Sequence, residues 1–172
     1  MTEEQKFDVV QKLKGGAAEI RRYHACTMAD TVVNADYRNA GNMGFRPLVT
    51  YISRNNIAMT APVLQEQNAE QSWIVSFVMP AGMTLNQLPL PADSKVHLRE
   101  IPEHFAAALA FSGITTAQRV KEKETQLRNI LSEAGIQAIG SLKIARFDPP
   151  WKPGFMRRNE VILEIVNPAH GS

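Results

Sequence analysis

Residues 56–63 read N-I-A-M-T-A-P-V. Ile57, Met59, Ala61 and Val63 alternate with Ala58, Thr60 and Pro62, the period-2 pattern of a strand buried on one face. Pro62 has no N–H to give to a ladder, so it predicts an edge position or the end of the strand.

Just upstream, in 36–53, the period changes. Phe45, Leu48, Val49 and Ile52 fall at i, i+3, i+4 and i+7, one face of a helix. Gly41 and Gly44 each cost such a helix up to about 1 kcal/mol and an interior Pro47 about 3 kcal/mol. The pattern therefore predicts a helix near 45–53 with a ragged or kinked start, Pro47 sitting in its first turn. Farther back, 7–13 reads as a first strand, Gly15-Gly16 as a turn, and 18–33 as one long extended run.

Downstream, 72–79 (S-W-I-V-S-F-V-M) is apolar enough for a strand buried on both faces. Pro80, Pro89 and Pro91 then punctuate a loop. The pattern restarts with strands at 95–100 and 104–111, a helix at 115–134, and strands at 141–147 and 161–166. Thr115 and Gln118 have capping-box spacing at the start of that helix. Ala117, Val120, Leu127, Ile130, Leu131 and Ala134 make its apolar stripe, Glu124 and Arg128 an i,i+4 pair, and Gly135 its C-cap.

The order is thus β-β-α-β-β twice. E-I-R-R-Y-H-A at 19–25 and E-I-P-E-H-F-A at 100–106 echo each other ahead of the two helices. The expectation is an α+β fold: duplicated ββαββ units in a curved or barrel-like antiparallel sheet with two helices packed on it.

Composition bounds the function. The chain of 172 residues fits one domain over 1–172. Its 44% hydrophobic and 21% charged residues are ordinary for a globular protein. A net charge of +2 without a basic stripe makes nucleic acid a poor partner. No run reaches the ~20 apolar residues of a membrane span, and the charged start T-E-E-Q-K-F-D has no secretory h-region. A cytoplasmic location is the expectation. The single Cys26 excludes an internal disulfide and any multi-cysteine metal site.

Candidate chemistry is sparse. His24, His97, His104 and His170 form no H-x-x-x-H pair, and no C-x-x-C-H occurs for covalent haem attachment. Cys26 reads as a small buried hydrophobe and Met59 as core, so no axial iron ligand and no structural metal are predicted. There is no G-x-S-x-G, P-loop or H-E-x-x-H. Asp148 and Glu160 could form an acid–base pair; Asp148 reads rather as a turn cap, and Glu160 as the partner of a nearby arginine. The segment 149–158 is more informative. Trp151, Pro153, Phe155 and Met156 are too proline-rich for helix or central strand, and Arg157 and Arg158 follow directly. Apolar surface beside arginine forks suits a flat apolar ligand carrying carboxylates.

Two strings carry a resemblance. Residues 56–63 resemble the signature K-I-A-M-T-x-P-V of the SOUL haem-binding family, with Asn56 where the signature has Lys. A-R-F-D-P-P-W-K-P-G-F-M-R-R-N-E at 145–160 is similar to that family's Y-D-P-P-W-x-P…R-R-N-E segment. The resemblance implies a distorted β-barrel with two helices and non-covalent binding of haem or a related tetrapyrrole. It implies a hydrophobic groove between the first helix and a loop near the C-terminus. On this chain the groove residues are Phe45, Leu48, Val49 and Ile52, then Trp151, Phe155 and Met156, with Arg157 and Arg158 for the propionates. The function expected is binding, buffering or transport of a small hydrophobic ligand rather than catalysis. Two alternatives remain: a small-molecule effector-binding module, since the duplicated architecture resembles the GyrI-like fold, and an enzyme acting on a hydrophobic ligand in the same groove.

Overall fold

The computed structural model describes residues 2–149 and 151–169; His170 lies outside them. Its contacts divide into two compact units. Met1–Lys6 with Ala25–Pro102 make the first, and Phe7–His24 with Glu103–Ser172 the second. These are not the two halves of the sequence. The run 18–33 is two strands rather than one: β3 (Ala18–Tyr23) lies in the second unit and β4 (Cys26–Val33) in the first.

In the first unit the sheet order is β6 (Val63–Gln67), β7 (Trp73–Val78), β4, β8 (His97–Ile101), all antiparallel. Val75, Ser76, Phe77 and Val78 are buried, as the apolar run predicts. One face of the sheet carries helix α1 (Tyr37–Arg54). In the second unit the order is β2 (Phe7–Leu13), β3, β9 (His104–Ser112), β11 (Arg158–Ile165), β10 (Ala138–Arg146), again antiparallel, with helix α2 (Ala117–Glu133) packed on it.

Among the described residues no sheet closes into a barrel. Among the described residues β8 pairs only with β4 and β2 only with β3. Both edges carry features that discourage further pairing: a register shift between Val9 and Gln11 in β2, and His97, Arg99 and Glu100 along β8.

The stretch 56–63 is not the regular strand its alternation suggests. Asn56 takes φ +54°, a left-handed conformation asparagine tolerates better than most residues, just past the last turn of α1. The Ile57 N–H then reaches back to the Ile52 carbonyl at 2.9 Å, a Schellman-type helix ending. Thr60–Ala61 (β5) pairs in parallel with Glu3–Glu4 (β1), the Ala61–Pro62 peptide is cis, and β6 starts only at Val63. Buried Thr60 donates its hydroxyl to the Val78 carbonyl at 2.5 Å. The segment caps a helix and crosses to a strand, so its burial follows tertiary contacts rather than a period of two.

Helix α1 is longer than its apolar stripe. Asp36 caps it, accepting the Asn39 N–H at 2.8 Å, which places Pro47 deep in the interior rather than in the first turn. The missing Pro47 N–H leaves the Met43 carbonyl without its usual i+4 donor. The buried stripe is Ala40, Gly44, Leu48, Tyr51 and Ile52, so Phe45 and Val49 lie beside it. The two small residues explain this rotation. A Cβ on Gly44 would stand 2.5 Å from Val75 Cγ2 and 2.6 Å from Val75 Cβ, so α1 meets β7 where only glycine fits. Gly44→Ala should therefore destabilise the chain by up to about 2 kcal/mol, overpacking outweighing the roughly 1 kcal/mol that alanine gains in helix propensity. Urea midpoints check this, and adding Val75→Ala should recover part of the loss. A stability gain in Gly44→Ala alone contradicts it.

Helix α2 follows its sequence signals closely. The cap is Thr116 rather than Thr115, accepting the Arg119 N–H at 3.2 Å. Val120, Leu127, Ile130 and Leu131 face the core, while Ala117 and Ala134 stay exposed. The Glu124–Arg128 pair forms at 2.9 Å. Gly135, at φ +70°, ends the helix with Ile136 N–H on the Leu131 carbonyl at 2.9 Å.

Candidate functional site

The 149–158 loop of the second unit is held at its base and exposed at its tips. Asp148 accepts the Arg158 N–H at 2.6 Å and the Lys152 ammonium at 2.9 Å, so it caps the turn as its sequence position suggests. That backbone bond, then Lys152, holds its carboxyl below the usual carboxylate range. The anchor is thus present at neutral pH and is lost only as pH falls through the lowered pKa. Gly113 N–H reaches the Arg157 carbonyl at 3.0 Å, and Asn159 donates to the Gly113 carbonyl at 2.7 Å. Gly154 sits where any Cβ would lie 2.7 Å from Ile114 Cγ1, so the loop backbone rests on that side chain.

On this frame Trp151 is 85% exposed, Phe155 80% and Met156 52%. Arg157 turns its Nε onto the Lys152 carbonyl at 2.9 Å, and Arg158 lies 4.1 Å over the Phe147 ring. Ile114, also exposed, borders the loop; an isolated apolar residue beside Gly113 gives little sequence signal of this.

In the first unit the four helix residues divide. Leu48 and Ile52 are buried and Val49 half-buried, whereas Phe45 is 40% exposed with its ring edge on Phe77 at 5.4 Å. Leu48 and Ile52 hold α1 to its sheet; Phe45 is the member that reaches solvent. Met43 is exposed on the same helix, and its position off the apolar stripe is the signal that could have found it.

The buried polar groups are engaged elsewhere. Arg21 on β3 makes a two-pronged pair with Glu160 on β11, at 2.7 and 2.6 Å. Its remaining N–H groups go to Glu19 at 2.8 Å and to the Tyr23 hydroxyl at 2.8 Å, and its plane lies 4.1 Å over the Phe7 ring. Burial alone would push the Arg21 pKa down; the Glu160 bonds reverse this and leave it raised. Burial pushes the Tyr23 phenol up to about 12. Glu160 therefore has an arginine partner, but one 139 residues away rather than nearby. Asp30 similarly accepts from Ser76 at 2.6 Å and Arg99 at 2.7 Å in the first unit. Asp148 and Glu160 are thus each held in an ion pair, with Lys152 and Arg21 respectively, rather than with each other.

His24 lies in the break between β3 and β4, half-exposed, with Nε2 2.8 Å from Asp8. His104 stacks on Tyr23 at 5.3 Å. Cys26 is partly buried, and its thiol pKa is raised by that burial. No group of three or more His, Cys, Asp or Glu residues among the described residues could hold a metal ion. No helix among them is long and apolar enough to cross a membrane.

A family model described as SOUL heme-binding protein matches residues 2–164, nearly the whole chain. The chain belongs to the SOUL haem-binding protein family. No curated protein matches this SOUL chain in sequence. Its fold is similar to the EcmrR C-terminal domain, with TM-score 0.71 at 10% identity over 87% of this chain and 97% of that one. It is also similar to a hydrolase from Listeria innocua, with TM-score 0.61 at 13% identity over 91% and 94%. A third solved structure, SAV2435 bound to tetraphenylphosphonium, has TM-score 0.53 at 7% identity over 87% and 94%. At these identities the likeness to all three is one of fold.

Proposed function

We propose that this SOUL-family chain is a cytoplasmic protein that binds haem or a related tetrapyrrole non-covalently, for buffering or transport, and acts as one SOUL-type domain over 1–172. Family membership makes a tetrapyrrole the first ligand to consider. The observation that carries the reading to particular residues is the loop with Trp151, Phe155 and Met156 exposed on a held base beside Arg157 and Arg158. Flat apolar rings suit a porphyrin face, and guanidinium forks suit propionates. Phe45 on α1 is the third exposed aromatic of the proposal, with Leu48, Val49 and Ile52 fixing the helix that presents it. Iron ligation contributes little, because His24 is directed at Asp8.

Haemin titration followed at the Soret band tests this. Apolar burial contributes roughly 25 cal/mol per Å². Trp151→Ala, Phe155→Ala or Phe45→Ala should therefore cost about 2 kcal/mol, some thirtyfold in affinity. His24→Ala should bind as the parent does, and metal-free porphyrin about as well as haemin. Loss of the Soret shift in His24→Ala, with normal binding by the aromatic variants, sinks the model.

A second reading is a small-molecule effector-binding module built on a duplicated ββαββ unit. Two strand registers favour the duplication. Arg21↔Ala106 and Glu19↔Ala108 in the second unit stand against Arg99↔Met28 and His97↔Asp30 in the first. Both strands keep one spacing of 78 residues (99 − 21 and 106 − 28). The proposed repeats are β3-β4-α1-β6-β7 and β8-β9-α2-β10-β11, each lending its first strand to the other's sheet. A chain that ignores haemin and porphyrin but is stabilised thermally by other small apolar compounds favours this second reading.

A further inference from the structure

We propose that the 149–158 loop docks on an anionic lipid surface, Trp151 and Phe155 entering the headgroup region with basic side chains around them. This goes beyond ligand binding, and the two stand or fall separately. Two observations carry it. First, Trp151 and Phe155 are 85% and 80% exposed, projecting from a base fixed by Asp148 and by the Gly154–Ile114 contact. Met156 and Ile114 widen the apolar tip. Large side chains so exposed on a held loop are an interaction surface rather than scattered surface residues. Second, the charge is concentrated there. Residues 146–158 carry Arg146, Lys152, Arg157 and Arg158 against Asp148, a formal +3 in a chain whose total is +2. The rest of the chain is therefore slightly acidic.

An apolar tip on a segment of net positive charge is the chemistry of an interfacial anchor. Tryptophan settles at headgroup depth, phenylalanine and methionine enter the acyl boundary, and lysine and arginine meet anionic lipid.

The full chain is tested by co-sedimentation with two vesicle types, phosphatidylcholine alone and phosphatidylcholine with about one-third phosphatidylserine. Affinity should rise about tenfold or more with the anionic lipid and fall with added salt. The chain has two tryptophans, Trp73 and Trp151, so Trp73→Phe leaves Trp151 as the one reporter. Its emission should shift to the blue on binding and be quenched by brominated lipid. Trp151→Ser with Phe155→Ser should abolish sedimentation while the circular dichroism spectrum stays that of the parent. The proposal is overturned by absence of binding to the anionic vesicles, or by binding that survives the double substitution. Bound protein whose Trp151 is neither shifted nor quenched overturns it too. So does a lipid-free dimer that Trp151→Ser converts to monomer, because the loop would then be covered by a second copy. Haemin titration without vesicles reports on the ligand reading alone.

Discussion

Removing the Arg21 guanidinium is expected to lower the unfolding free energy by about 3–5 kcal/mol, and removing the Glu160 carboxylate by a similar amount. The pair is almost wholly withdrawn from water, with side chains 6% and 8% exposed. Two charges so placed gain less from each other than a surface picture suggests, because each has lost its hydration. The cost of truncation is the charge left behind. Arg21→Ala strands Glu160 and removes the donors to Glu19 and Tyr23; Glu160→Ala leaves a buried cation with Glu19 as its remaining carboxylate. A double-mutant cycle separates the terms. Arg21→Met with Glu160→Leu should be far less destabilised than the sum of Arg21→Met and Glu160→Leu made singly, since neither member of the buried pair is left without the other. Urea unfolding of the four proteins measures this. Strictly additive losses would show that Arg21 and Glu160 are not coupled.

Leu48→Ala is expected to cost about 2–5 kcal/mol. Leu48 is fully buried, 0% exposed, in the cluster formed with Tyr51, Ile52, Val75 and Phe77, one residue-turn from the place where Gly44 meets Val75. The close approach of helix to sheet leaves little freedom for the cavity to collapse, which favours the upper part of that range. The same variant distinguishes two roles. If Leu48 serves only to hold α1, haemin affinity measured well below the melting temperature should stay within about threefold of the parent's, while Phe45→Ala loses some thirtyfold. A Leu48→Ala chain of parental stability but weakened haemin binding would put this side chain in ligand contact instead.

Most elements were legible from short-range chemistry. Thr and Gly at the ends of α2, apolar spacing along it, and the run 72–79 all specify local structure through contacts a few residues apart. Asp36 as the cap of α1 was equally local, yet Pro47 and the glycines concealed it, because their penalties are judged without knowing what the helix packs on. The 56–63 stretch failed for a related reason: a helix ending followed by a crossing can imitate alternation when different neighbours bury successive residues.

By itself the sequence determined the family, the α+β class, both helices, most strands, the candidate loop and its excess of positive charge. Each rests on residue identity and near-neighbour spacing. Only the tertiary structure decided that β3 and β4 part into different units, that no sheet closes, and that α1 turns Leu48 inward and Phe45 outward. It alone joined Arg21 to Glu160 across 139 residues. Side-chain partners at that separation are chosen by strand register, and register is set by packing over whole sheets rather than by any local signal.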